Sequence, residues 1–132
     1  MRYMLDTNAV SHLIKAHPVL VKRVTAAPMA ALCISAITEG ELLFGLAKRP
    51  AARQLHAAVT EFLKRVDVVP WDSSAAEHYG TLRASMEAQG KPLAPLDMLI
   101  GAHAVSVGAV LVTNDRAFQS IRDLQVEDWT GN

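Results

Sequence analysis

The runs LCIS, at positions 32–35, and VLVT, at 110–113, contain almost no polar side chains. A strand with one wet face alternates apolar and polar residues, whereas a strand covered on both faces reads as an unbroken apolar run. Strand-like runs recur at 2–5, 30–35, 66–70 and 109–113, with a weaker one at 124–126. Helix-like segments fill the intervals, at 7–15, 18–26, 36–48, 51–65, 73–89 and 96–107. Pro28, Pro50, Gly90 and Gly108 stand at or just past helix ends, where helices stop. Ser35 and Ser73 are the candidate N-caps. Strands alternating with helices require crossover connections. The pattern therefore predicts an α/β fold, a central and mostly parallel sheet of four to five strands flanked by helices. The 132 residues make one domain, without repeat, low-complexity tract or linker.

Composition narrows the class. Hydrophobic residues at 51% and charged residues at 20% suit a globular core rather than a disordered chain. Thirteen basic residues balance thirteen acidic ones, which argues against wholesale electrostatic adhesion to nucleic acid or membrane. A polyanion would have to be held by a local basic patch or by metal ions. Cys33 is the only cysteine, so no internal disulfide forms, in keeping with a reducing cytoplasm. Asp6 interrupts any signal-like apolar region at the N-terminus. The most apolar stretch, 93–112, holds Asp97 and His103 and is broken by Pro95, Gly101 and Gly108. It reads as a buried helix and strand, not a membrane span. The expectation is a soluble cytoplasmic domain.

Ligands of parallel sheets collect outside the carboxyl ends of the strands. Asp6 follows the first strand and Asp115 the run VLVT, so two strands end in acids on one edge. Glu41 lies in ISAITEGELLFG and Asp97 in PLAPLDMLIGAHA, both strongly apolar surroundings. Taken singly, Asp6, Asp97 and Asp115 are also explained as helix caps or first-turn acids. Periodicity does not choose between Glu39 and Glu41. Jointly, carboxylates in one apolar cleft repel, by on the order of 3 kcal/mol per pair at ~6 Å and an effective dielectric of about 20. Unpaired, they take up protons; a divalent cation turns the repulsion into binding. Mg²⁺ suits an all-oxygen set, with Mn²⁺ as substitute, while zinc lacks a Cys/His cluster.

MLDTNAVSHLI, SAITEGELLFG, PLAPLDMLIGAHAVSVGAVLVTNDRAF and the closing VEDW together resemble the PIN-domain ribonucleases. More narrowly, they resemble the VapC-type toxins of VapBC toxin–antitoxin pairs, over essentially the whole chain. The resemblance implies an Mg²⁺- or Mn²⁺-dependent endoribonuclease with Asp6, Glu41, Asp97 and Asp115 as its acids. Glu41 is chosen because ELLFG matches the family glutamate; Glu39 matches none and is structural or peripheral. Asp6 and Asp97 are the principal metal ligands and Asp115 completes the site directly or through water. Glu41 ligates through water or orients the nucleophile. The resemblance further implies a homodimer, a VapB-like antitoxin and structured RNA substrates. The GKPLAPLD stretch is most similar to relatives that cut initiator tRNA near the anticodon. A stand-alone RNA-maturation nuclease and a non-catalytic RNA-binding module are the competing readings. A phosphoacceptor receiver would need an adjacent acidic pair and a late lysine, and has neither.

Other side chains take plainer roles. Thr7, Asn8, Thr113 and Asn114 either position the acids or the substrate phosphate, or cap the next helices; both readings stand. His12 and His103 read as structural, Cys33 as a small core residue, and Phe44 and Trp71 as packing rather than base-stacking, although an exposed aromatic near the cleft could help grip RNA. Lys15, Lys48, Arg49, Arg53, Lys91 and Arg116 are the available phosphate contacts, with solvated surface as their default, and Arg116 beside Asp115 stands first.

Overall fold

The computed structural model describes residues 1–91 and 93–131. Pro92, within the GKPLAPLD stretch, and Asn132 lie outside the described residues. Five strands form one sheet: β1 (Tyr3–Leu5), β2 (Leu32–Ser35), β3 (Asp67–Val69), β4 (Val110–Val112) and β5 (Val126–Glu127). Their order is β3-β2-β1-β4-β5, and every neighbouring pair is parallel. Tyr3 stands opposite both Leu32 and Val110, and Leu5 opposite Val112, so β1 is central.

Successive strand residues point to opposite faces, and both faces are buried. Leu5, Leu32, Ile34 and Val112 join one core with Val10 and Leu20 from α1 (Thr7–Ile14) and α2 (Pro18–Ala26). That core also takes Leu42 and Val59 from α3 (Ala36–Ala47) and α4 (Arg53–Arg65). Met4, Cys33 and Leu111 join the other, against Ile100 and Ala104 of α6 (Pro95–Ser106) and Phe118 of a 3-10 turn at Arg116–Ser120. Helix α5 (Ser73–Ala88) packs along α6. Burial on two sides is why LCIS and VLVT carry no polar alternation.

The elements follow the sequence expectations with local corrections. The first half of the 30–35 run is a 3-10 turn, Met29–Ala31, closed by Ala31 donating to the Pro28 carbonyl at 2.9 Å. Asp72, not Ser73, caps α5, because its carboxylate accepts from the Ala75 amide at 3.0 Å. Helix α4 begins at Arg53 rather than 51, since Ala52 turns back onto the Arg49 carbonyl. Gly108 takes φ +67° between α6 and β4, a left-handed conformation open to it because it has no Cβ. No helix among the described residues is long and apolar enough to cross a membrane.

Candidate active site

The strand order reverses at β1, which connects onward to β2 on one side while β4 arrives on the other. The crevice past the β1 and β4 carboxyl ends is the ligand position of such sheets. Asp6 enters it directly after β1, and the ladder extends this far, with the Asp6 amide donating to the Val112 carbonyl at 3.1 Å. Asp115 lies three residues past β4. Helices α3 and α6 bring Glu41 and Asp97.

Asp6 is 3% exposed, and one carboxylate oxygen caps α1 by accepting from the Ala9 amide at 2.7 Å. The alternative of ligand or cap is therefore not exclusive: the cap uses one oxygen and leaves the carboxylate a second one. Burial pushes the Asp6 carboxyl above its ordinary range. The Thr113 hydroxyl and the Ala9 amide pull it back, and the charges of Asp97 and Asp115 push it up again. Asp97, in the first turn of α6, is also raised, by burial first and then by Asp115 and Glu41. The four acids thus share one electrostatic environment.

They do not form a ready-made cage. Among the described residues no three His, Cys, Asp or Glu side chains gather closely enough to grip an ion by themselves. Three of their carboxylates are engaged in local bonds. Asp6 is held by its cap. The Glu41 carboxylate accepts from the Thr7 hydroxyl at 2.6 Å, and Asp115 turns its carboxylate onto the Ala117 amide at 2.9 Å. Magnesium needs no full protein cage, because it retains waters and takes one or two carboxylates plus substrate phosphate. The hard oxygen donors and the raised carboxyls of Asp6 and Asp97 fit such an ion.

The surrounding hydroxyls are ordered as well. Thr7 bonds Glu41 and lies 3.3 Å from the Thr38 hydroxyl, one turn before Glu41. Thr38 is buried, and its i, i+3 spacing to Glu41 was the one cue to it in the sequence. Thr113 accepts from the Asp115 amide at 3.0 Å while favouring the Asp6 anion, so it joins two acids. The Asn114 amide reaches His12 Nε2 at 3.4 Å. His103 is fully buried, with Nδ1 2.7 Å from the Ser35 hydroxyl, and Trp71 packs on its ring; both are structural, as expected. Phe44 is not packing: it is 62% exposed.

A family model described as PIN domain matches residues 3–124. The chain belongs to the PIN domain family. One relative of this PIN domain, from Shigella flexneri, is named tRNA(fMet)-specific endonuclease VapC. It is 37% identical over 131 residues, covering 98% of this chain and 99% of its own length. In a solved structure, DNA-bound VapBC from Salmonella typhimurium, the matching PIN chain is 38% identical with a TM-score of 0.91, covering 98% of both chains. A third, VapBC2 from Rickettsia felis bound to a promoter DNA fragment, is 32% identical with a TM-score of 0.89. It covers 98% of this chain and 99% of that one.

Proposed function

We propose that this chain is a Mg²⁺- or Mn²⁺-dependent endoribonuclease, the toxin of a VapBC-type pair, cutting structured RNA in the cytoplasm and neutralised by a VapB-like antitoxin. The carrying observation is the pair of raised carboxyls, Asp6 and Asp97, with Asp115 and Glu41 as charged neighbours, at the switch-point edge of a VapC-like PIN domain. The name of the Shigella relative makes initiator tRNA the first substrate to test, and the solved VapBC relatives support an antitoxin partner. A toxin homodimer belongs to the same reading.

Asp6, Asp97 and Asp115 would hold the ion, which when bound supplies the positive charge that offsets a substrate phosphate and makes a water acidic enough to attack. The chain's residues do the rest. Asp6 is held in one orientation by the α1 amide it caps, and Thr113 sets Asp115 against it. Thr7 donates to Glu41, which fixes that carboxylate to orient the attacking water and accept its proton.

Total RNA incubated with purified protein tests this. Cutting should require Mg²⁺ or Mn²⁺, stop with chelator and disappear in Asp6→Asn. Mapped ends should fall on few sites, initiator tRNA among them. Cutting that persists in chelator or in Asp6→Asn would refute the reading. Growth arrest on expression, relieved by a co-expressed antitoxin, tests the toxin assignment.

A further inference from the structure

We propose that His103 is a positioning residue: by its hydrogen bond to Ser35 it fixes α6, and with it Asp97, against Asp6 and Glu41. The inference rests on the ribonuclease reading above and names what sets the spacing of its acids.

Asp97 is the acid that most needs such support. Asp6, Glu41 and Asp115 each accept a local hydrogen bond, whereas the Asp97 carboxylate accepts none among the described residues. Its place is therefore the place of α6. That helix is not oriented by one apolar stripe, since Ile100 to Ala104 are buried in unbroken succession and so lie all round it. Apolar burial is non-directional and specifies rotation about the axis less sharply than a hydrogen bond does. No side chain caps the start of α6. Among the described residues, the one side-chain hydrogen bond from α6 to another element joins His103 Nδ1 to the Ser35 hydroxyl, 2.7 Å apart and fully buried.

Ser35 receives that bond where the acids meet. Continuing the β1–β2 register past Met4 and Cys33 sets Ser35 opposite Asp6. The same hydroxyl accepts from the Ile37 amide at 3.0 Å and so begins α3, six residues before Glu41. His103 follows Asp97 by six residues, about 9 Å of helix axis. One bond thus ties the sheet edge beside Asp6, and the helix that carries Glu41, to the helix that carries Asp97. Trp71 holds the ring from another side, with centroids 5.3 Å apart. Turning α6 by about 20° would carry a carboxylate ~6 Å from its axis through about 2 Å. A misplacement of ~1 Å costs on the order of a hundredfold in rate. His103 bonds none of the four acids, so its part is to place one of them.

Three measurements on the full chain test the pair: kinetics on bulk tRNA in Mg²⁺, calorimetric titration with Mn²⁺ alone, and thermal unfolding. His103→Gln and Ser35→Ala should lower kcat by on the order of ten- to a hundredfold, with KM near the parent value, and should weaken Mn²⁺ binding. The double variant should be no worse than the worse single one, because both remove the same bond. His103→Asn should recover most of both losses, since its amide stands where Nδ1 stood and can donate or accept. Ile121→Val, a core change on the same side of the sheet, should lower Tm and leave kcat as it is. Ser35→Ala, with Ser35→Thr as its rescue, carries the comparison if the His103 variants do not fold. Parent-like kcat and Mn²⁺ affinity in His103→Gln, additive losses in the double variant, equal losses in His103→Asn and His103→Gln, or as large a loss in Ile121→Val would each overturn the role. A parent that shows the pattern in Mn²⁺ binding but cuts no RNA leaves the positioning standing and sinks the nuclease. Normal cutting with unaffected variants does the reverse, and a parent that neither binds Mn²⁺ nor cuts overturns both.

Discussion

Replacing Asp97 by asparagine should abolish cutting and yet stabilise the metal-free protein. The carboxylate is partly buried and is pushed above its ordinary range by desolvation, then by Asp115 and Glu41. Two like charges ~7 Å apart, at an effective dielectric of about 40 for a partly wet edge, repel by roughly 1 kcal/mol. With two such neighbours and salt screening, Asp97→Asn should gain about 1–2 kcal/mol, or some 3–8 °C in Tm. The sign with pH follows from linkage. Because the folded-state value is raised, the folded chain binds the proton more readily than the unfolded one. The charge therefore costs stability only as pH rises from the ordinary aspartate range through the raised value. Urea unfolding in chelator should show the gain in full at pH 7, smaller as pH falls toward 4, and smaller in 0.5 M salt. A variant less stable than the parent at pH 7 and low salt would refute the reasoning, since desolvation and repulsion of the charge would then not outweigh its favourable contacts at this edge.

Three further outcomes are expected. Thr7→Val should leave stability within about 1 kcal/mol but lower kcat by on the order of tenfold, with Thr7→Ser restoring it, because the lost bond is the one that orients Glu41; an unchanged kcat would remove Thr7 from the mechanism. Burial holds His103 below the ordinary histidine range, so the unfolded chain protonates first and stability is lost as pH falls through about 6.5. Replacing it by glutamine should flatten that part of the pH–stability curve, and urea midpoints between pH 7.5 and 5.5 measure it. Gly101→Ala should cost about 1–3 kcal/mol, since its Cβ would lie 2.7 Å from Ile121 Cδ1 inside the core; a neutral Tm would show that Ile121 yields freely.

The parallel sheet was legible because burial on both faces leaves a mark no surface strand carries. Asp6 and Asp115 were legible for a related reason, as acids placed where a strand runs out. Glu41 was not separable from Glu39 by periodicity, because α3 is apolar nearly all round, and only the ELLFG resemblance chose it. Sequence spacing also could not show that Asp6 would be both cap and candidate ligand, since capping depends on the angle at which α1 leaves β1. The open question over Thr7 resolves through a contact 34 positions away, which no local pattern encodes. The exposure of Phe44 goes against its packing reading, because an aromatic among leucines looks like core until the neighbouring elements are in place.

The cap made by Asp6 separates its proposed chemistry from the shape of the chain. Asparagine caps helices as well as aspartate does, so a change of one side-chain atom can take away the negative charge while α1 still begins at the same residue. On the proposed reading, one codon change would leave a disarmed protein that keeps its outline, and with it every surface a partner would recognise.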